Sequence, residues 1–408
     1  MAEGLGLRDH MAIATMRVVN TASRRTGRGE GTVVGGRVAL RVSPSLLERL
    51  SSPMAVALVT GTNGKTTTTA CLAAALRTRG DVATNATGSN MLPGHTAALA
   101  ASSDATCAAL ECDEVWLPRA LEVERPSTVV LLNLSRDQLD RTAEVRRTAD
   151  TWRRVLEGFA GTCVANADDP LVVHAALEAP SVAWFAGGLV WGDDAIACPR
   201  CARGIVYDER GWSCACGFAR PSPDARPTET GALLDGVDVA YETALPGAFN
   251  RANGVGALLA AVRMGVEPLA AARAVGSVTE VAGRFSELAI DGVPARLMLA
   301  KNPAGWRALL DLLGADRCPV VVAVNARVAD GHDPSWLYDV DFERLRGRRV
   351  LAAGERWRDL STRLFYAEVD HDCEPDSRRA IAMAGDRGER VEVIANYTAF
   401  ADLRRSDT

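Results

Sequence analysis

The stretch Leu58-Val59-Thr60-Gly61-Thr62-Asn63-Gly64-Lys65-Thr66-Thr67-Thr68 decides the fold of this chain. An apolar run breaks into a glycine turn, and the turn ends in Lys-Thr at the start of a helical pattern. Glycines let the backbone approach an anion closely, while successive N–H groups and a helix N-terminus face it. Lys65 would neutralise terminal phosphates, and Thr66 would offer its hydroxyl to Mg²⁺. The sequence therefore predicts that residues 61–67 bind the phosphates of ATP.

This loop departs from the strict phosphate-loop motif at one position. The motif has a glycine five positions before Gly64, where this chain has Val59. The shorter form, Gly-Thr-Asn-Gly-Lys-Thr-Thr over residues 61–67, resembles the loop of the Mur ligase and folylpolyglutamate synthetase superfamily. An ordinary glycine turn before a helix is the alternative, which Lys65 and the run of threonines disfavour.

Length and composition indicate an ordinary globular protein. A chain of 408 residues is too long for one compact core of usual size, so we expect about two or three domains. The net charge of −5 gives no general argument for a nucleic acid or an anionic membrane as partner. No apolar run approaches the ~20 residues that span a bilayer, and the N-terminus lacks a signal-like apolar core. We expect a cytoplasmic protein with no membrane anchor of its own and no nucleic-acid partner.

Alternating strand and helix patterns predict a doubly wound α/β sheet. Residues 1–50 are predicted to form a lead-in helix and a strand. Residues 51–285 are predicted to form the ATP-binding domain, and residues 286–408 a smaller C-terminal α/β domain. Buried strands are predicted at residues 54–60, 108–111, 128–132, 161–166 and 182–185, and in the C-terminal part at 296–300, 320–325 and 349–352.

Ten cysteines fall into two groups. Six are scattered through apolar segments and are typical of buried thiols in a reducing compartment: Cys71, Cys107, Cys112, Cys163, Cys318 and Cys373. The other four, Cys198, Cys201, Cys214 and Cys216, predict an inserted zinc ribbon over residues 197–223, because a hairpin between the pairs would bring four thiolates together. Such a site is closed and structural. Cys-Ala-Cys is shorter than the usual second pair, so a ligand from elsewhere, or no metal, is the alternative.

Further motifs resemble the MurT family over nearly the whole chain. In that family MurT pairs with GatD, a glutamine amidotransferase, and amidates the D-glutamate of the peptidoglycan stem peptide. The resemblance implies a Mur ligase-like central domain, the zinc ribbon, a MurT-type C-terminal domain, ATP and Mg²⁺, and a heterodimer with a GatD-type subunit. One departure is that Arg141 is followed by Thr-Ala instead of the usual Tyr-Gly. The motifs are Gly88-Ser89-Asn90-Met91, Glu111-Cys112-Asp113-Glu114, residues 133–141, Asn166-Ala167-Asp168-Asp169-Pro170, residues 301–305 and residues 330–342.

Amide formation from a carboxylate requires an activated acyl group, which the terminal phosphate of ATP supplies as an acyl phosphate. Phosphoryl transfer depends on charge neutralisation and alignment. Lys65 and Thr66 are two of the required parts. Glu111 ends an apolar strand, where a magnesium ligand would face the ligand crevice, and the resemblance implies the same role. The alternative for Glu111 is an ordinary surface acid with no metal-binding role. Asn133 ends the next strand and could orient phosphate or a metal-bound water.

Three more residues are candidates for contacts with the nucleotide. Asn250 and Asn253 lie three apart on one helical face, and in the superfamily this segment contacts the adenine side. A plain helix N-terminus is the alternative. Arg284 follows a glycine at a domain junction, where an arginine could reach ATP phosphate when the domains close. A solvated linker arginine is the alternative for this residue.

An aspartate-rich stretch follows the predicted strand 320–325. The resemblance implies that one aspartate here completes a Cys-His pair in the glutaminase partner by orienting its histidine. The candidates are Asp330, Asp333, Asp339 and Asp341. Asp333 precedes a proline, an arrangement that is also typical of a helix cap.

The expected substrate is a lipid-linked muropeptide, since about fifty residues before the loop are too few for the uridine-nucleotide domain of the usual Mur ligases. The protein would then meet the inner membrane face only through its substrate. One alternative is a ligase that adds an amino acid, of the Mur or folylpolyglutamate type. Another is a non-catalytic, ATP-gated binding subunit. The acidic net charge disfavours a nucleic-acid adaptor.

Overall fold

The computed structural model describes residues 5–25, 32–86, 89–102, 104–136, 145–188, 192–209, 211–279, 285–314, 317–386 and 388–405. These residues fall into two compact units. The first holds the described residues up to Leu134 and those from 145 to Thr279, and the second holds those from 285 onward together with Ser135 and Arg136. No described helix is both long enough and apolar enough to cross a membrane.

The first unit is built on a nine-stranded sheet with helices on both faces. Its strand order is β11-β10-β9-β6-β5-β4-β1-β3-β2, and the pairs from β2 through β6 to β9 are parallel. Two separate buried clusters cover its faces, as a doubly wound sheet requires. The elements are α1 (Leu7–Arg25), α2 (Thr32–Val42), α3 (Leu46–Ser51), β1 (Ala55–Thr60), α4 (Lys65–Leu76), β2 (Val82–Thr84), α5 (Leu92–Ala101), β3 (Cys107–Glu111), α6 (Leu117–Glu124), β4 (Thr128–Leu131), α7 (Val145–Leu156), β5 (Thr162–Asn166), α8 (Pro170–Ala176), β6 (Val182–Phe185), β7 (Val206–Asp208), β8 (Gly211–Ser213), β9 (Ala225–Pro227), β10 (Gly231–Leu234), β11 (Val237–Ala240), α9 (Ala248–Arg263) and α10 (Pro268–Gly276).

The predicted lead-in strand is wrong, because residues 32–42 form helix α2. Valines in this segment favour a strand. However, Gly35 and Gly36 let the helix approach its neighbours closely. A Cβ at Gly35 would lie 1.9 Å from Oδ1 of Asn20 in α1, and a Cβ at Gly36 would lie 2.0 Å from the carbonyl oxygen of Pro93 in α5. Packing between helices therefore outweighs the intrinsic strand preference of the segment.

The second unit contains a six-stranded sheet in the order β12-β13-β17-β14-β15-β16. Strand β12 pairs antiparallel with β13, and the remaining pairs are parallel. The central strands β14, β15 and β17 are buried along their whole length, which agrees with a sheet covered on both faces. The elements are β12 (Phe285–Ile290), β13 (Val293–Leu299), α11 (Pro303–Leu312), β14 (Val320–Ala323), the 3₁₀ segments Ser335–Asp339 and Phe342–Leu345, β15 (Val350–Ala353), α12 (Trp357–Tyr366), β16 (His371–Cys373), α13 (Ser377–Ala384), β17 (Val391–Ala395) and α14 (Tyr397–Arg405).

Candidate functional site

The glycine loop joins the carboxyl end of β1 to the start of α4. Gly61 has φ +139° and Gly64 has φ +86°, conformations that side chains disfavour. Both positions are also crowded. A Cβ at Gly61 would lie 2.9 Å from the backbone nitrogen of Asn133, and one at Gly64 would lie 2.5 Å from Oδ1 of Asn253. The first N–H groups of α4 have no intrahelical acceptor, so this turn presents the anion-binding end of a helix.

The side chain of Asn133 holds the loop in place. Its Oδ1 accepts a hydrogen bond of 2.9 Å from the N–H of Asn63, and its Nδ2 donates to the Asn63 carbonyl at 2.9 Å. The backbone N–H of Thr62 donates to the carbonyl of Asn133 at 2.9 Å. The amide of Asn133 therefore positions the phosphate loop, a role that the strand-end pattern did not predict for it.

Lys65 is buried beside its own loop. Its Nζ donates to the carbonyl oxygens of Gly61 at 2.6 Å and Thr62 at 3.3 Å, and it lies 3.2 Å from Oε2 of Glu114. Burial raises the pKa of Glu114, and the nearby lysine partly opposes that shift. Glu114 thus gives the lysine a carboxylate partner, a role that its place in the Glu-Cys-Asp-Glu motif alone did not reveal.

Thr66 and Glu111 meet, as the sequence suggested. The Thr66 hydroxyl donates a hydrogen bond of 2.8 Å to Oε2 of Glu111, at the carboxyl end of β3. Asn85 fixes the glutamate backbone, because its Oδ1 accepts from the Glu111 N–H and its Nδ2 donates to the Glu111 carbonyl, both at 2.8 Å. A hydroxyl and a carboxylate at a phosphate loop are hard oxygen donors of the kind that Mg²⁺ prefers, so these residues fit that ion.

A buried histidine–glutamate pair lies behind Glu111. Nε2 of His95 is 2.9 Å from the Glu111 carbonyl oxygen, and Nδ1 is 2.8 Å from Oε1 of Glu124. A carbonyl only accepts, so Nε2 carries a proton. Burial opposes the charged imidazole, but Glu124 and the Glu111 carbonyl outweigh it and raise the pKa of His95. Sequence reasoning missed this pair, since a histidine and a glutamate 29 residues apart show no local pattern.

The two asparagines of α9 have different surroundings. Nδ2 of Asn250 donates to the carbonyl of Pro246 at 2.7 Å, which closes the first turn of the helix. Asn253 is the residue that faces Gly64 of the phosphate loop. Contact with adenine stays a prediction for this segment. Gly88, Asp137, Asp140 and Arg284 lie outside the described residues.

The Asn-Ala-Asp-Asp-Pro motif connects several elements. Oδ2 of Asp168 accepts hydrogen bonds from the N–H groups of Gly187 and Gly188. Its Oδ1 accepts a hydrogen bond of 2.7 Å from Nε of Arg220. Asp169 caps α8 and accepts from the N–H of Leu134 at 2.7 Å. Burial raises the pKa of Asp169 to about 6, although the backbone N–H groups that donate hydrogen bonds to its carboxylate favour the ionised form. The motif supports the end of β5 and the chain that leaves Asn133.

The four clustered cysteines converge. Their sulfur atoms all lie within 4.8 Å of one another, with Cys198 to Cys216 at 3.7 Å and Cys201 to Cys214 at 3.5 Å. A tetrahedral Zn²⁺ with bonds of about 2.3 Å separates its sulfurs by about 3.8 Å, so the set fits zinc. The shorter Cys-x-Cys pair therefore still places both of its sulfurs where they could serve as ligands. The hairpin of β7 and β8 lies between the pairs, as predicted, and Trp212 in it donates to the carbonyl of Ala167 at 3.0 Å.

The four candidate aspartates of the second unit differ in their availability. Asp330 is buried, and its carboxylate accepts from the N–H and hydroxyl of Thr398 at the start of α14. Asp339 pairs with Arg136 at 3.2 Å, and Asp341 pairs with Arg344 at 2.9 Å. Asp333 is exposed, and among the described residues its carboxylate accepts from the N–H and hydroxyl of Ser335 in the following turn, which lower its pKa.

Comparisons with known proteins agree with this architecture. Residues 59–187 match the Mur ligase middle domain, and residues 299–400 match the MurT ligase C-terminal domain. The chain is 29% identical to the lipid II isoglutaminyl synthase (glutamine-hydrolyzing) subunit MurT of Staphylococcus aureus strain COL, covering 97% of both chains. The Streptococcus pneumoniae R6 protein of the same name is 29% identical over 92% of both chains.

A solved structure extends the comparison to the fold. The pseudomurein peptide ligase type C from Methanothermus fervidus superposes with a TM-score of 0.68 at 19% identity, over 89% of this chain and 81% of that one. The expected Mur ligase-like α/β fold is therefore confirmed.

Proposed function

Since this chain carries a Mur ligase middle domain followed by a MurT ligase C-terminal domain, we propose that it is the synthase subunit of a lipid II isoglutaminyl synthase. In this proposal it amidates the D-glutamate α-carboxylate in the stem peptide of a lipid-linked muropeptide and forms D-isoglutamine. The observation that carries the proposal is the group formed by the phosphate loop, Lys65 and the Thr66–Glu111 pair at one sheet edge.

The chemistry proceeds in two steps. A carboxylate oxygen of the substrate attacks the terminal phosphorus of ATP, an acyl phosphate forms, and ADP leaves. Ammonia then attacks the acyl carbon, phosphate leaves, and the nitrogen loses a proton to solvent. Nζ of Lys65 would give up its hydrogen bonds to the loop carbonyls and donate to the terminal phosphate. The first N–H groups of α4 would hold the phosphates. Thr66 and Glu111 would hold Mg²⁺, which neutralises charge on the phosphates.

The proposed source of ammonia is a GatD-type glutaminase subunit in a heterodimer. Of the four candidate aspartates, Asp333 is the best placed to reach a partner chain. It is exposed, whereas Asp330 is buried and bonded to Thr398, and Asp339 and Asp341 each have an arginine partner. Orienting a histidine requires an accessible acceptor, so we assign that role to Asp333.

Zinc is the proposed occupant of the cysteine cluster. The ribbon packs its Trp212 and Phe218 against Val173 in α8, so the metal would stabilise a structural module of the first unit. With all four positions filled by sulfur, it would have no open site for chemistry. The subunit would act at the cytoplasmic membrane face, where a lipid-linked substrate is presented.

An amino-acid-adding ligase is the second candidate, because the chain shares its fold with a pseudomurein peptide ligase. One experiment separates the two functions. The purified chain, with and without a glutaminase partner, is incubated with ATP, lipid-linked muropeptide, and either ammonium, glutamine or single amino acids, and products are identified by mass spectrometry. We expect ATP-dependent amidation with ammonium. Addition of an amino acid without any amidation would refute the proposal.

A further inference from the structure

The outward face of the N-terminal hairpin, formed by α1 and α2, is both apolar and basic. Leu7, Met11 and Val18 of α1 have exposed fractions of 80%, 58% and 69%, and Val34 of α2 has 52%. At 100° per residue, the three residues of α1 lie within about 40° of one another around the helix axis. They therefore form one apolar stripe that the described part of the chain leaves uncovered.

This stripe lies opposite the face that α1 packs into the protein. Ala12, Ile13 and Met16 on the opposite side are buried in the core that covers one face of the sheet. Asp9, also on the buried side, is bonded to Ser43 and Arg49. The helix is therefore apolar on two faces. Folding of the first unit uses only one of them.

Exposed arginines lie on both helices of the hairpin. In the described residues 7–25 and 32–42 there are six arginines and one acid, the buried Asp9, whereas the whole chain has a net charge of −5. Arg17 is exposed on one flank of the α1 stripe, and Arg37 and Arg41 are exposed on α2. On the other flank, Arg8 is exposed, and its Nε donates a hydrogen bond to the carbonyl of Val42 at the end of α2. These two helices are thus net basic in a chain that is acidic overall, and their basic side chains accompany an exposed apolar helix face.

We propose that the outward face of this hairpin docks on an anionic bilayer surface. An apolar stripe bordered by arginines is the arrangement of helices that lie in the membrane interface, where apolar groups enter the acyl boundary and the guanidinium groups meet lipid phosphates. A nucleic acid would use the arginines but leave the apolar stripe in water. Charge and apolar exposure together favour the lipid surface.

The hairpin is connected to the nucleotide site through α5. Gly36 of α2 packs against Pro93 in the first turn of α5. Two residues before α5, the carbonyl of Asn90 accepts a hydrogen bond from the N–H of Asp113, which lies two residues after Glu111. This inference goes beyond the proposed function, which places only the substrate in the lipid.

The test measures binding of the full-length chain to vesicles of phosphatidylcholine with or without phosphatidylglycerol, by co-sedimentation without ATP, glutamine or muropeptide. We expect binding only to the anionic vesicles, weakening with salt. Near an anionic surface each arginine contributes roughly fivefold, so the variant R17Q/R37Q should bind about 25-fold more weakly. The variant M11E/V18E should lose binding, because it places carboxylates in the apolar stripe.

Two single-residue controls make the same kinds of substitution at exposed positions elsewhere in the first unit. Arg226→Gln removes an exposed arginine from β9, and Val237→Glu changes an exposed valine of β11. Both should bind as the unaltered chain does. Equal binding to neutral vesicles, or unchanged binding of both hairpin variants, would overturn the inference. A concentration-dependent dimer in gel filtration that M11E/V18E abolishes would also overturn it, since a second copy would then cover the stripe. These outcomes do not depend on catalysis, so they are separate from the test of amidation.

Discussion

Replacement of Glu124 tests the buried pair behind Glu111. The side chains of Glu124 and His95 are both fully buried, and Oε2 of Glu124 has no hydrogen-bond partner among the described residues. Removing one member of a buried ion pair leaves the other uncompensated, which costs about 3–5 kcal/mol. In units of roughly 150–250 residues each kcal/mol shifts Tm by roughly 2–4 °C, so Glu124→Ala should lower the Tm of the first unit by up to roughly 6–20 °C.

The isosteric change Glu124→Gln removes the charge of the carboxylate but keeps its size. The pH dependence of the free energy of unfolding then shows how much of the effect comes from charge. In the folded protein the pKa of His95 lies above its ordinary value of 6.5, despite burial, because of Glu124. That stabilisation is complete below the unfolded pKa and is lost as pH rises through the folded pKa. Without the carboxylate, burial opposes the charged imidazole with less compensation, so the folded pKa of His95 should fall and the stabilisation at low pH should be smaller.

The assay is urea unfolding between about pH 5.5 and 8.5 without Mg²⁺, with Glu122→Gln as control on the same helix. Glu122 is 68% exposed, so its replacement should leave the pH dependence unchanged. The difference in free energy of unfolding between the unaltered protein and Glu124→Gln should shrink as pH rises. A difference that is constant across this range would refute the argument that His95 is charged.

Three further predictions concern the proposed reaction and the zinc ribbon. Lys65→Ala and Glu111→Ala should each lower amidation at least about 100-fold with ammonium as well as with glutamine, because both act on the phosphates. Asp333→Asn, assayed with the glutaminase subunit, should lower only glutamine-dependent amidation, by up to about 10⁴-fold, and equal loss with ammonium would contradict its assigned role. Elemental analysis should find one zinc per chain, and Cys216→Ser or a strong chelator should remove it and change the fluorescence of Trp212, which packs in the same cluster; unchanged emission after metal loss would contradict the structural role.

Much of the sheet could be predicted because its strands are local apolar runs. β1, β3, β4, β5 and β6 all lie where the sequence placed them, since parallel strands buried on both faces are apolar along their length. The Thr66–Glu111 contact followed from the same pattern, because the carboxyl ends of neighbouring parallel strands meet at one edge.

Other features depend on contacts that no local pattern encodes. The central strand β17 was missed because it carries a charged residue, Glu392, which is buried and compensated by Arg296 at 2.5 Å and Arg390 at 3.1 Å. Helix α2 was predicted as a strand because its close packing against α1 and α5 depends on residues distant in sequence. In both cases contacts with residues elsewhere in the chain, and not local propensity, determine the secondary structure.

The phosphate loop itself shows how a departure from a motif can be tolerated. Val59, where the strict motif has glycine, is buried in β1 and paired with Val130 and Glu111 of the neighbouring strands, so the strand continues to Thr60. The turn begins only at Gly61, and Asn133 from the next strand end fixes its backbone with two side-chain hydrogen bonds. An early glycine is therefore unnecessary, because a side chain 70 residues away supplies the constraint. It follows that Asn133 should matter for nucleotide affinity as much as the glycines, although it need not touch the nucleotide.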